Sequence, residues 1–403
     1  MKLILLIILV IFLVPTFNIG GIPIRLEDIL FILIILFYPP LKIGKAKKFI
    51  NILVLIVLAY FITFSFQIFS GYVPVLQDMN TIFSLVRNII IFYAGLKLGS
   101  TILANSNLIF LTLSIGFFIS SIISIVQFYN IGGLGTVSYL LFGNERGVTY
   151  GINRVVGTMG NPNYAAFFQI CGIIGIMALK KTSKLLKSII VPILFSISLL
   201  SVYLTFSRTG IISLVIVFLA FLILKKKHIL IFISSLILFF SIPFLGSIVE
   251  GTRYSERASD LLTLNSRVDS IWDKKIEAFY DNPIWGISSS DGANSNTVFD
   301  IAIFDNSYLY LLVVSGLVGL ILNLTFNFKV ILFFNNLKAK TLYLYIALLH
   351  VNIFIFYITT DLVKGVMFTS FYFFITGLLI SIDKNQFQYT NDTTDIHTNI
   401  KLE

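Results

Sequence analysis

One cysteine, three histidines and two tryptophans are all that this 403-residue chain carries of those types. Cys171 lies inside an apolar run, so a disulfide framework and a cysteine metal cluster are both excluded. His228 stands in a basic turn, His397 in a polar tail and His350 in the middle of an apolar run. There is no HExxH, no P-loop, no glycine-rich dinucleotide turn and no plausible serine triad. Metal-centred hydrolysis and energy from cytoplasmic nucleotides are therefore not expected, and no cofactor is called for. Charge is also scarce, at 12% of residues.

What fills the chain instead is hydrocarbon. The sequence is 57% hydrophobic with a mean hydropathy of +0.95, far outside the soluble range. Its length supplies about a dozen spans of ~20 residues. The expected fold is an all-α polytopic membrane protein of about 12 transmembrane helices, built as a single transmembrane domain over 1–382. The expected spans are 1–19, 27–41, 49–70, 81–99, 108–129, 162–179, 188–206, 209–224, 229–247, one starting at Asp305, 341–360 and 362–382. Residues 1–19 are read as a retained span because no A-x-A-like cleavage site follows. A polar loop (248–305) is inserted between spans nine and ten, and 383–403 is a polar tail.

Short basic loops stay in the cytoplasm. With Met1 inside, 18 of the 21 lysines fall on the inner side, against only four acidic residues. Both termini are then cytoplasmic, and the long loop is extracytoplasmic. The net charge of +10 is thus a topology signal, and no nucleic-acid partner is implied. The arginines divide the other way. Seven of eight fall outside: Arg25, Arg146, Arg154, Arg208, Arg253, Arg257 and Arg267. Lysine suffices as a point charge, whereas arginine grips a phosphate or carboxylate with two parallel hydrogen bonds. Two readings stay open: an anionic ligand on the outer face, or pairing with the 15 outer carboxylates.

Four motifs carry chemistry. In NRVVGTMGNPNYAAF, Asn161 suits an N-cap and Pro162 the first helical turn, so a helix N-terminus with free N–H groups opens outward beside Arg154. That is either a plain helix start or an anion site. In LTFSRTGII, Arg208 stands between two spans with almost no loop, either lining a polar cavity or snorkelling to headgroups. Within the long loop, Ser266-Arg267-Val268-Asp269 reads as a capping box opening a helix. Val268, Trp272, Ile276 and Phe279 share one of its faces, and Asn282-Pro283 ends it. The face rests on the membrane or on the bundle, or belongs to an ordinary surface helix. In Asp305-Asn306-Ser307, Asp305 is either the N-cap of span ten or a general base toward a sugar hydroxyl.

Taken together, GTMGNPNYAA, SRTG, R-x4-W-x10-P-x2-G (Arg267 to Gly286) and DNSYL-x6-G-x2-G (Asp305 to Gly319) resemble the bacterial O-antigen polymerase and O-antigen ligase superfamily. The large outer loop between spans nine and ten is similar too, and the likeness covers residues ~150–320. The resemblance implies metal-independent glycosyl transfer on the outer leaflet of the bacterial cytoplasmic membrane. The donor it implies is a glycan on undecaprenyl pyrophosphate. Matched to the family's pattern, Arg154, Arg208 and Arg267 hold the pyrophosphate at the Asn161 and Asn163 helix start. Asp305 and Asn306 then lie on the acceptor side. A chain-length regulator and a flippase are the protein partners that the resemblance implies. Ligase-like members usually carry His-Asn where this chain has Asp305-Asn306, a departure that favours a polymerase over a ligase. A lipid-linked oligosaccharide flippase and a non-catalytic assembly scaffold are the competing classes.

Overall fold

A computed structural model describes residues 2–15, 17–19, 22–38, 44–69, 71, 76–101, 106–142, 154–179, 189–227, 230, 276, 279–280, 282–287, 306–336, 340–363 and 365–381. Arg146, Arg253, Arg257, Arg267, Trp272, Asp305, the tail and nearly all of the expected ninth span lie outside the described residues.

Helices α1 (Lys2–Leu13), α2 (Leu26–Phe37), α3 (Lys47–Phe69), α4 (Leu76–Thr101) and α5 (Ser106–Tyr129) form the first half. A short α6 (Leu134–Phe142) follows, then α7 (Pro162–Ala178), α8 (Val191–Leu204) and α9 (Arg208–Leu224). The last three are α10 (Ser307–Asn336), α11 (Lys340–Thr359) and α12 (Val366–Ser381). Five of these contain a stretch long and apolar enough to cross a bilayer alone: α3, α4, α5, α10 and α11. The other seven described helices, α6 among them, are shorter. The count of twelve spans therefore stays an expectation. Large apolar side chains such as Leu36, Phe69, Ile321 and Phe328 face outward, as lipid-facing positions do.

Two expectations change. The first helix stops at Leu13, two residues before Pro15, and the chain then forms a hairpin of β1 (Phe17–Ile19) and β2 (Ile22–Ile24) rather than continuing to residue 19. The glycine-rich loop after span five holds α6, whose Leu134, Leu140 and Leu141 are exposed.

Helix α7 is the centre of the bundle. It is buried on almost every side and packs against α5, α8, α9 and α11. Between helices in lipid the hydrophobic effect drives little, so close packing and interhelical hydrogen bonds carry the association. Ser114 Oγ of α5 donates to Gly172 O of α7 at 3.2 Å. Ser213 Oγ of α9 donates to Asn352 Oδ1 of α11 at 2.6 Å, and Asn352 Nδ2 donates to Phe167 O of α7 at 3.2 Å. His350 is a packing residue: its Nδ1 lies 2.8 Å from Ile346 O and its Nε2 3.1 Å from the Tyr372 hydroxyl.

Arg25 is not a ligand-facing arginine. It is 1% exposed, pairs with Glu27, and donates from Nη2 to Ile11 O (2.6 Å) and Val14 O (2.9 Å). It thereby satisfies carbonyls that the end of α1 leaves without helical partners. Arg87 of α4 is also closed off. Its Nε meets Asp28 Oδ1 at 2.6 Å and its Nη2 donates to Ser370 Oγ of α12 at 2.5 Å.

Candidate active site at converging helix starts

Asn161 Oδ1 accepts from Asn163 N at 2.8 Å, so the N-cap opens α7 where its Asn-Pro pair predicts. Ser207 Oγ accepts from Gly210 N at 3.1 Å and opens α9, placing Arg208 in the first helical position, exposed. The two starts are tied directly. Ser207 Oγ donates to Asn163 Oδ1 at 2.9 Å, and Arg154 Nη2 approaches the same oxygen at 3.4 Å. Arg154 Nε donates to Thr205 O at 3.0 Å. Arg154 is thus laid across the turn between α8 and α9 and reaches the first turn of α7. Three predicted residues, Arg154, Asn163 and Arg208, share one place, with Asn161 as the cap that forms it.

The GTMG turn explains how Arg154 is held. Gln127 of α5 accepts from Val156 N (3.1 Å) and Gly157 N (2.8 Å) with one oxygen and donates to Gly157 O at 2.8 Å. Ser120 Oγ lies 3.1 Å from Thr158 Oγ1. A buried glutamine amide therefore replaces the hydrogen bonds that the unwound backbone lacks. The glycines and threonine of this motif hold the backbone, while its flanks carry the charge.

The connection between α11 and α12 is the second half of the site. Tyr164 OH of α7 donates to Asp361 O at 2.5 Å, and Thr209 Oγ1 of α9 lies 2.7 Å from Thr359 Oγ1. Ser307 Oγ of α10 donates to Thr360 O at 2.8 Å and accepts from Leu362 N at 2.8 Å. Three helix starts, α7, α9 and α10, meet on this one short turn. Asp361, 9% exposed, brings a carboxylate there that the sequence reading passed over. Its signal was the same as that of Arg208: a charge in a connection of only a few residues between two apolar runs.

Asn306 begins α10. Its Oδ1 accepts from Leu309 N at 3.0 Å, so Asn306 is the cap rather than Asp305, which lies outside the described residues. Arg267 lies outside them as well.

The glycines of the last two motifs answer one another. Helix α10 breaks at Gly316 (φ +62°, ψ −168°), a conformation open almost solely to glycine. The loop segment Asn282–Ile287 fills the break. Leu317 N donates to Pro283 O (2.9 Å), Val318 N to Ile284 O (3.2 Å), and Ile287 N to Val313 O (2.7 Å). A Cβ on Gly286 would come within 2.6 Å of Gly316 N, so the backbones touch with no room for a side chain. Thr63 Oγ1 of α3 donates to Trp285 O at 2.5 Å. Ile276 and Phe279, the described part of the loop helix's apolar face, pack with the bundle cluster of Tyr60, Phe64, Leu309–Leu311, Val313 and Val314. That part of the face rests on the bundle.

Residues 193–324 match the family model described as O-antigen ligase. The match supports the O-antigen ligase and polymerase superfamily that the motifs resemble. It covers about a third of the chain, from within α8 through SRTG to the second turn beyond the Gly316 break. Arg208, Arg267, Pro283, Gly286, Asp305 and Asn306 fall inside it, while Arg154, Asn161 and Asn163 fall before it. No curated protein matches the chain. With its long apolar helices, the chain is a multi-pass membrane protein, and residues 193–324 of it are similar to the O-antigen ligase family.

Proposed function

We propose that the protein polymerises undecaprenyl-pyrophosphate-linked oligosaccharide repeat units into a surface polysaccharide on the outer leaflet of the bacterial cytoplasmic membrane. The observation that carries this reading is the junction of Arg154, Asn163 and Ser207 at the N-termini of α7 and α9, beside Arg208. Helix N-termini offer unpaired N–H groups and the positive end of the helix dipole, and arginine adds paired donors. A diphosphate leaving group needs that fixed positive charge as its bond breaks.

In the proposed reaction the acceptor hydroxyl oxygen attacks the anomeric carbon of the donor glycan. The bond from that carbon to the pyrophosphate oxygen breaks, and its electron pair stays on the pyrophosphate held by Arg154, Arg208 and Arg267. The hydroxyl proton passes to a carboxylate. Asp305 is the residue that the family pattern assigns there, with Asn306 beside it. Asp361, on the turn where α7, α9 and α10 meet, is a second carboxylate for that role. A ligase would use the same donor chemistry and pass the glycan to a lipid A core or protein. The description of the matched family favours that second reading. Asp305 in place of the ligase-like histidine favours the first.

The test replaces Arg154 or Arg208 by lysine in the producing cell and measures glycan length on gels, with protein level as control. Loss of one preorganised donor costs roughly 10²–10³ in rate. A polymerase then accumulates single-repeat material. Full-length polymer left on its carrier indicates the ligase, and repeat units trapped on the cytoplasmic side would sink both. Asp305→Asn and Asp361→Asn, measured alongside, show which carboxylate takes the proton: its replacement stops extension while repeat units still bind.

A further inference from the structure

A cavity of about 360 Å³ lies between α3, α4, α10, α11 and α12. It is lined near one end by Tyr310, Tyr357 and Val363, within about one turn of Ser307, Thr360 and Leu362, and so lies beside the turn on which three helix starts meet. It descends along α10 to Asn327, roughly 25 Å at the α-helical rise. No lysine, arginine, aspartate or glutamate lines it among the described residues. The nearby Arg87 is spent on Asp28 and Ser370. The polar part of its lining includes Asn88, Asn323, Asn327, Tyr310, Tyr357 and Tyr372, set among aliphatic and phenylalanine side chains. Asn327 Oδ1 accepts from Tyr372 OH at 2.6 Å, which fixes both groups at the deep end. Asn88 is 8% exposed, and its Oδ1 accepts no hydrogen bond.

In a protein that spans lipid, an unpaired buried amide oxygen such as that of Asn88 is costly without a polar occupant beside it. An anion would find no lysine or arginine on this wall among the described residues, and a wholly apolar occupant would leave the Asn88 oxygen without a partner. The wall fits an uncharged polyol. Amides donate and accept in pairs toward vicinal hydroxyls, and tyrosine faces cover the C–H face of a pyranose ring.

We infer that this cavity binds an uncharged saccharide of the glycan, apart from the cationic residues that hold its pyrophosphate. The inference rests on the glycosyl-transfer reading for the source of the sugar, and its binding test does not depend on transfer. Charge is thereby divided between two compartments joined at the Thr359–Leu362 turn, with arginines and helix starts on one side and neutral amides on the other. The sugar comes either from the reducing end of the donor chain or from the non-reducing end of the acceptor, and both have the same chemistry.

The test uses full-length protein in lipid nanodiscs. The probes are the repeat-unit oligosaccharide, released from its carrier by mild acid, and inorganic pyrophosphate, with affinities read by calorimetry and saturation-transfer NMR. Asn88→Leu, and separately Asn323→Leu, should weaken the oligosaccharide at least tenfold and leave pyrophosphate within twofold. Arg154→Lys should do the reverse. Asn88→Gln, which keeps the amide, should recover most of the oligosaccharide affinity. If methylating the non-reducing-end hydroxyls abolishes binding, the cavity takes the acceptor. If reducing the other end to an alditol abolishes it, the cavity takes the donor. Oligosaccharide binding that is absent, or indifferent to both leucine variants in folded protein, overturns the inference and leaves the transferase reading standing. Intact saccharide binding with normal glycan length in Arg154→Lys cells overturns the transferase reading and leaves the cavity.

Discussion

Arginine is used in two different ways at two ends of this molecule. Where α1, α2, α4 and α12 meet, Arg25 and Arg87 are buried against Glu27 and Asp28, and their remaining donors go to carbonyls and a serine. Where α7 and α9 begin, Arg154 is held by neutral oxygens, those of Thr205 and Asn163, and Arg208 is exposed in the first turn of α9. A carboxylate in contact offsets a guanidinium's charge, whereas a carbonyl orients the group and adds no charge of its own. The first region is scaffold because its arginines are buried in ion pairs, and the proposed function makes the second the site, although both arginine sets flank apolar helices and look alike in sequence.

The largest expected effect breaks the scaffold. Arg87→Ala leaves Asp28 without its cation in a largely buried position, which costs about 3–5 kcal/mol. Unfolding by SDS titration in mixed micelles should show that loss, and the protein level in cells should fall with it. Replacing both partners by apolar residues, Arg87→Met with Asp28→Leu, should restore most of the stability, because no uncompensated charge remains. Arg154→Lys should leave the same unfolding curve nearly unmoved while shortening the glycan. If Arg154→Lys unfolds the protein as Arg87→Ala does, the distinction between the two regions fails.

A smaller effect separates the long loop from both regions. Gly316→Ala forces a side chain into a conformation that costs about 1–3 kcal/mol, and into the backbone of Ile284 and Trp285. The loop segment should then leave the break in α10. Hydrogen exchange at Leu317 and Val318, whose amides bond to Pro283 and Ile284, should rise before global unfolding. Because this segment anchors the loop rather than reacting, glycan length should shorten partially, with single repeats appearing beside short polymer.

Helix starts were the most legible part of this chain. Asn161-Pro162 opens α7 where the sequence predicts, by short-range chemistry alone, and α9 begins at Arg208, one residue before the expected 209, because Ser207 caps it. The start of span ten is off by two residues because Asp305 and Asn306 are equally good caps on paper and only the hydrogen bond to Leu309 N chooses Asn306. Charge count placed Arg25 with the ligand-facing arginines, since burial between α1 and α2 leaves no trace in local composition. The pairing of Pro283–Gly286 with Gly316 joins segments about thirty residues apart. Each glycine looked like a separate motif, and only their backbone contact gives one reason for both. Asp361 was counted as one more outer carboxylate because nothing local shows that three other helices converge on it.

The smallest effect sharpens what the helix start contributes. Asn161→Ala removes the oxygen that accepts from Asn163 N and should cost about 1 kcal/mol, while Asn161→Gly should cost a few tenths. Both losses are structural and would follow from a plain cap. Asn161→Asp separates the two roles. Aspartate caps as well as asparagine and gains from the helix dipole, so stability should hold or rise slightly. The same negative charge faces whatever anion the first turn of α7 receives. A site that binds pyrophosphate there should lose affinity for it and shorten the glycan in a protein no less stable than the parent. A start that is only a start should show no change in either. Measured pyrophosphate affinity in Asn161→Asp, set beside its unfolding curve, decides between the two.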